Sequence, residues 1–515
     1  MILGLLKILI AASVLVALAI ILARLVFRAP RPHTRPICNA LPPATTGPLA
    51  RTLVAQQGAQ IPGSSGIAPL EDGMEAFVTR MVLAGAATTA IDVQYYIWRD
   101  DMTGHLLLKA LLRAADRGVR VRILLDDNGI DGLDDVLASM DAHPNIEVRL
   151  FNPFMLRRFK RLSYGFDFFR LNHRMHNKAF TVDGRASVLG GRNVGDEYFG
   201  TGVNPLQIDL DVLAMGDVVS QISDDFDRYW NAAPVHEASR ILRKIKQPDL
   251  LASRLDRFED TPQFSEYRGY LESSELVPKL MQGTLALEWT RAELVSDNPA
   301  TIFDKVPKKH LFTSRLLDAV GPITRQFDGV TPYFVPGAPG VGALAKLRGD
   351  GVKIRMLTNS LEATNMLPVH AGYGKRRKDL LRAGIGLFEL RAHAAGPSED
   401  DKLPRLGSSG SNLHAKTFAV DGARIFIGSF NFDPRSATLN TEMGLVIESE
   451  SMARSLHRAF DHGLGGLAWQ VRLDGGKLVW AHPGDPVVTR QEPGTNLANR
   501  LALRVVGWLP VEWLL

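Results

Sequence analysis

A chain of 515 residues with 45% hydrophobic side chains holds enough apolar material for sizeable cores in about three domains. Its single cysteine, Cys38, excludes intrachain disulfides and a thiolate metal cluster. A formal net charge of +5 points to an anionic partner, lipid phosphate or nucleic acid.

From Ile8 to Ala23 the sequence is almost wholly apolar, and with the flanking residues the run is broken only by Lys7 and Arg24, so residues 1–28 are long enough to span a bilayer. No small-x-small cleavage site follows, which favours a retained anchor over a signal peptide. Arg24, Arg28, Arg31 and Arg35 outnumber Lys7, and by the positive-inside rule this favours the cytoplasm for the body of the protein over the opposite orientation, which a lone Lys leaves open. Residues 29–74 open with a Pro- and Thr-containing stretch that reads as a tether.

A first α/β lobe is expected over 75–235. Ile91 to Trp98 reads as a strand, and Ala115-Asp116-Arg117-Gly118 as a helix end with a glycine stop before a second strand, Val119 to Leu125. After a polar, helix-prone connection at 236–279, the pattern recurs in a second lobe at 280–465, with Val330 to Pro336 and Val352 to Leu357 as the matching strands. The tail, 466–515, ends in an apolar stretch with Trp508 and Trp513 that fits a membrane interface or a cap on the core. The densest basic runs, 157–161 and 375–378, suit lipid headgroups at an anionic membrane.

Each lobe carries the same chemical frame. His176-Asn177-Lys178 leads through a β-rich run to Asp183-Gly184, and His414-Ala415-Lys416 leads through another to Asp421-Gly422. Asp-Gly between apolar runs signals a hairpin, and a two-residue turn would set His176 opposite Gly191 and His414 opposite Ser429, with Asn193 and Asn431 close by. Spacing i, i+2 on a strand puts each His and its Lys on one face. An imidazole beside an ammonium and an amide suits a phosphodiester: Lys and Asn hold the non-bridging oxygens, one His attacks phosphorus, and the other moves the proton of the alcohol. A lone strand histidine is usually structural; two matched frames argue for catalysis.

The two frames, His176-x-Lys178-x4-Asp183-x6-Gly190-Gly191-x-Asn193 and His414-x-Lys416-x4-Asp421-x6-Gly428-Ser429-x-Asn431, resemble the paired HKD motifs of the phospholipase D superfamily. The second fits in full; the first has Gly191 where the family usually has Ser or Thr. The resemblance implies two similar lobes with mixed sheets flanked by helices, forming one pseudo-twofold active site, plus the N-terminal membrane helix. It implies His176 as nucleophile, His414 as general acid and base, Asp183 and Asp421 as motif residues that support rather than carry protons, and phosphate contacts from Asn193, Ser429 and Asn431. Carboxylates that orient the imidazoles are expected near Glu442 and its counterpart Asp209, with Asp211 as a rival.

Further segments, among them Asp92 to Trp98, Gly190 to Phe199, Thr331 to Pro336 and Asp433-Pro434-Arg435-Ser436, resemble bacterial cardiolipin synthases, in particular the C-type branch. That likeness implies transfer of a phosphatidyl group, from phosphatidylethanolamine or phosphatidylglycerol to phosphatidylglycerol, at the bacterial inner membrane. Phospholipid substrates follow from it, with no cofactor and no metal; nucleic acid is disfavoured. Hydrolysis to phosphatidic acid and cleavage of nucleic acid are the rival chemistries for the same residues.

Overall fold

The computed structural model describes the chain apart from residues 1, 30–35, 57–61, 202–205, 245–249, 276–277, 280–281, 303–306, 308–309, 393–411, 463, 465, 483–487, 496–502, 504–506, 508–511 and 513–515. Helix α1 (Ile2–Val26) has no buried residue and is long and apolar enough to cross a membrane. Arg31, Arg35, Trp508 and Trp513, invoked above, lie outside the described residues.

The first sheet is built from β1 (Ser65–Leu70), β2 (Ala90–Ile97), β3 (Arg120–Gly129), β4 (Ile146–Phe151), β5 (Ala179–Val182), β6 (Ala186–Gly190), and, after the short β7 (Gln207–Ile208), from β8 (Asp211–Gly216), β9 (Val235–Glu237) and β10 (Glu288–Thr290). Its order is β10-β1-β8-β6-β5-β2-β3-β4-β9. The second comprises β11 (Ala292–Ser296), β12 (Gln326–Val330), β13 (Lys353–Asn359) and β14 (Gly386–Leu390), then, after β15 (Asn412–Leu413), β16 (Thr417–Val420), β17 (Arg424–Gly428), β18 (Met443–Ile447), β19 (Ala468–Asp474), β20 (Lys477–Ala481) and β21 (Val488–Thr489). It runs β11-β18-β17-β16-β12-β13-β14-β19-β20-β21, which matches the first strand for strand from β1 and β11 to β9 and β19, with β10 added at one edge of the first sheet and β20 and β21 at the opposite edge of the second. Both sheets are mixed, parallel across β2-β3-β4 and β12-β13-β14 and antiparallel elsewhere.

Strand alternation decides what each face covers. On β6, Val188 faces the helices of its own lobe while Leu189 joins an apolar layer with Ile425, Ile427, Leu445 and Ile447 of the other sheet. The sheets therefore pack against each other through that shared layer, and helices cover their outer faces.

Three expectations change. Residues 37–44 are not a free tether: Arg122 and Arg120 donate to the carbonyls of Cys38 and Asn39, and Ala44 N–H to Asp183 O, because the extended stretch satisfies its polar backbone against lobe one. The strands beyond residue 465 belong to the second sheet, with β19 pairing β14. The basic runs are partly neutralised: Arg157 bonds Asp127 and Asp134, Lys160 reaches Asp127, and Arg377 is buried against Glu389 and Glu492.

The hairpin turns also differ from the two-residue reading. Val182 pairs with Ala186 and Val420 with Arg424, so three residues form each turn and the register moves by one, taking His176 off Gly191 and His414 off Ser429. The aspartates are the reason. Asp183 and Asp421 sit at positive φ, 56° and 55°, and each carboxylate collects backbone N–H groups from the start of the neighbouring strand: Thr88, Thr89 and Ala90 for Asp183, and Thr324, Arg325 and Gln326 for Asp421. They pin the turns at the far end of the four-residue strands, more than about 13 Å along the chain from the imidazoles.

Asp183→Ala removes a buried acceptor from three N–H groups, that of Ala90 itself buried, whereas the Asp421 turn is partly open to water. On the scale of about 1–3 kcal/mol for a stranded buried donor, urea unfolding of the detergent-solubilised chain should lose about 2–4 kcal/mol for Asp183→Ala and about 1 kcal/mol for Asp421→Ala. Equal losses would contradict this account.

Candidate active site

The residues just before β5 and β16 leave their own sheets and cross to the opposite lobe. His176 N–H donates to Thr441 O and Thr441 N–H to Arg174 O; on the other side His414 N–H donates to Ile208 O, extending the parallel pair β15-β7. Thr441 precedes Glu442 and Ile208 precedes Asp209, so backbone pairing delivers a carboxylate from each lobe to the imidazole of the other. His176 Nδ1 lies 2.8 Å from Glu442 Oε2, and His414 Nδ1 lies 2.5 Å from Asp209 Oδ2. With Nδ1–H donating to a carboxylate, each Nε2 keeps its lone pair for chemistry. Asp211, the rival, is instead bonded to the buried Arg80.

The lysines reach the same place. Lys178 Nζ donates to His176 O, and Lys416 Nζ donates to His414 O and stands 3.9 Å from Asp209 Oδ2. Asn193 and Asn431 are buried, and Nδ2 of the first and Oδ1 of the second have no hydrogen-bond partner among the described residues. Asp183 and Asp421 are not part of the cluster, for the reason given above.

Ser429 and Gly191, equivalent in the two frames, do different work. Ser429 Oγ donates to Glu442 Oε2 at 2.5 Å, steadying the carboxylate that holds His176. At Gly191 a Cβ would lie 2.1 Å from Asp209 Oδ1, so the glycine makes room for the carboxylate that holds His414. The missing hydroxyl is thus the condition for Asp209 to approach.

Aromatic rings that sequence reading missed line the site. Tyr96 meets His176 edge-on with centroids 5.0 Å apart, and Tyr198 meets His414 at 5.2 Å. Tyr96 becomes legible only once β2 is known to pair with β5, Gln94 opposite Ala179. Asp297 was also missed; its carboxylate accepts from Glu442 N–H at 3.0 Å and fixes the segment that carries Glu442.

Burial sets the electrostatics. It lowers Lys178 to about 7, helped by the charge of Lys416, and lowers Lys416 to about 8 against the pull of Asp209. Burial and the lysines also depress both imidazoles, His414 to about 3, so both rest neutral. Glu442 is pushed up to about 7 by burial, while at Asp209 burial is outweighed by Lys416 and His414 and the carboxyl stays below its usual range. A buried site with two lysines held below their ordinary range and neutral imidazoles is built to receive an anion.

The chain matches the protein family described as cardiolipin synthase, PLD-like domain, over residues 82–230 and 318–464. It is 47% identical to cardiolipin synthase C of Escherichia coli over 462 residues, 88% of this chain and 97% of that protein. It is 27% identical to a cardiolipin synthase of Oceanobacillus iheyensis over 407 residues, 78% of this chain and 69% of that one. Among solved structures, phosphatidylserine synthase of Haemophilus influenzae is similar with a TM-score of 0.52 and 12% identity, covering 90% of this chain and 100% of that one, a likeness of fold.

Two measurements check the site. Gly191→Ala should push Asp209 off His414 and lower kcat by about 10- to 100-fold, the scale for losing a group that orients an imidazole; unchanged turnover would contradict the packing argument. An anion raises the lysines from about 7 and 8 towards their ordinary range, so they bind more protons when it is present. Sulfate, titrated by calorimetry at pH 8 in buffers of different ionisation heat, should bind with proton uptake that shrinks towards pH 6; no uptake at pH 8 would contradict this.

Proposed function

The chain belongs to the cardiolipin synthase family with two phospholipase D-like domains, and on that premise we propose that it makes cardiolipin by phosphatidyl transfer through a phosphohistidine. His176 Nε2 attacks the phosphorus of a donor phospholipid, phosphatidylethanolamine or phosphatidylglycerol, forming the N–P bond. The P–O bond to the headgroup alcohol breaks, and His414, which takes up a proton at Nε2 when the anionic phosphodiester enters and is supported as imidazolium by Asp209, gives that oxygen its proton. In the second half, His414 takes the proton of a free hydroxyl of phosphatidylglycerol, whose oxygen attacks phosphorus and breaks the N–P bond. Lys178, Lys416, Asn193 and Asn431 hold the non-bridging oxygens, where charge builds up in the transition state.

The observation that carries this reading is the pair of imidazoles, each held through Nδ1 by a carboxylate from the other lobe. The assignment of roles draws support from the two carboxylates. Asp209 is held ionised and stabilises an imidazolium at His414, as a proton carrier requires. Glu442, near neutrality at about 7, leaves His176 a neutral nucleophile.

The relatives and α1 fit a membrane-anchored bacterial protein. We assign the anchor to the inner membrane and the lobes to its cytoplasmic side, from Arg24 and Arg28 after the apolar run against Lys7 within it. A retained anchor keeps the covalent intermediate where a lipid alcohol is abundant.

Purified full-length protein in mixed micelles of phosphatidylglycerol and phosphatidylethanolamine should yield cardiolipin by mass spectrometry, and omitting phosphatidylethanolamine identifies the donor. Phosphatidic acid as the only product would replace transfer by hydrolysis. Cleavage of a labelled oligonucleotide that is lost in His176→Ala would favour a nucleic-acid substrate. His176→Ala and His414→Ala should each abolish turnover, and Lys178→Ala or Lys416→Ala should cost on the order of a hundredfold or more.

A further inference from the structure

The last turn of α1 does not leave the protein. Ile20, Ala23 and Phe27, on one helical face, are partly covered. The Phe27 ring stacks on Phe166 with centroids 5.8 Å apart, and Arg24 Nε donates to Phe166 O. A helix that crosses a bilayer and ends at Val26 puts whatever packs on its last turn at the depth of the headgroups. Here that is the irregular helical segment 157–171.

The outer side of this segment is apolar and cationic. Phe159, Leu162 and Phe169 are 53%, 65% and 73% exposed, and outside α1 no other stretch of that length among the described residues exposes three large apolar side chains. Arg158, its guanidinium over the Phe159 ring, and Arg161 are exposed and form no ion pair among the described residues, unlike Arg157 and Lys160 in the same run. Three apolar side chains flanked by unpaired arginines match the boundary between acyl chains and lipid phosphates.

The inner side reaches the active site. Tyr164 OH donates to Asn128 Oδ1 at 3.2 Å, and Asn128 Nδ2 donates to Tyr96 OH at 3.1 Å, beside His176. Five residues after the segment the chain arrives at His176, and on the way Asn172 and His173 bond Arg435 and Leu439 of lobe two. The segment is therefore the rim of the cleft on the anchor side.

We propose that segment 157–169 is a second membrane contact: Phe159, Leu162 and Phe169 insert among the acyl chains of an anionic bilayer, with Arg158 and Arg161 on lipid phosphates. The mouth of the cleft is thereby held at the bilayer surface, so that phospholipids enter it sideways. This rests on the reading that the protein acts on phospholipids from a membrane, but its first test does not need turnover.

Full-length Cys38→Ser, Phe169→Cys protein, labelled at position 169 with a nitrobenzoxadiazole fluorophore, is reconstituted into vesicles of phosphatidylglycerol and phosphatidylethanolamine. Nitroxide placed high on the acyl chains should quench the label at least twofold more than aqueous iodide does; quenching by iodide alone would overturn the proposal, whatever reaction the enzyme performs. In a second arm, Phe159→Ser, Leu162→Ser, Phe169→Ser protein should lose about tenfold or more of its turnover on vesicles. It should stay within about twofold of the parent on short-chain phospholipids dispersed as monomers. Equal loss on both substrates, or no loss on vesicles, would overturn the role in substrate entry.

Discussion

Two short cross-lobe backbone pairings, His176 with Thr441 and His414 with Ile208, are the constraint on which the site depends. A hairpin in one lobe can position an imidazole and an ammonium, but not a carboxylate at Nδ1, because its own sheet has no residue there. Each lobe lends that carboxylate to the other. The shared apolar layer of Leu189, Ile425, Ile427 and Leu445 holds the sheets together at this spacing, so packing and chemistry have a common origin. An active site assembled in this way exists only when both lobes are folded and docked.

The electrostatic consequence is a site in tension at rest. Burial lowers both lysines, with Lys416 lowering Lys178 further, and burial and the lysines together keep His176 neutral; a phosphodiester relieves the strain by supplying the missing negative charge. The half-sites are alike in topology and unlike in detail. Gly191 admits Asp209 to close contact with His414, and Lys416 and His414 hold that carboxylate ionised, whereas at Glu442 burial outweighs Lys178 and the Ser429 hydroxyl and lifts the carboxyl to about 7. Such a difference suits the separate roles proposed for His176 and His414 in an otherwise duplicated frame.

Much of this was legible in the chain. Two His-x-Lys frames with their Asp-Gly turns announce the duplication, and aligning the lobes singles out Asp209 and Glu442, both of which reach an imidazole. What sequence reading missed was non-local. The three-residue turns depend on Asp183 and Asp421 capturing amides from residues almost a hundred positions earlier, which no local turn signal encodes. That the carboxylates cross between lobes is a tertiary fact, as is the neutralisation of Arg157 by Asp127 and Asp134 in what reads as a free basic run. Residues 37–44 read as a tether by composition, yet their backbone groups find partners on lobe one. Periodicity reports which face of a strand is apolar; it does not report which distant groups complete the polar ones.

The central claim is that both imidazoles act on one phosphorus atom, and a trapped intermediate tests it most directly. A phospholipid analogue with a nitrophenol leaving group needs no proton to depart, so His414→Ala should still be phosphatidylated but should fail to pass the group on. Mass spectrometry of the quenched variant should find the phosphatidyl group on His176. An unmodified His176, or a phosphatidyl group on another residue, would contradict the account.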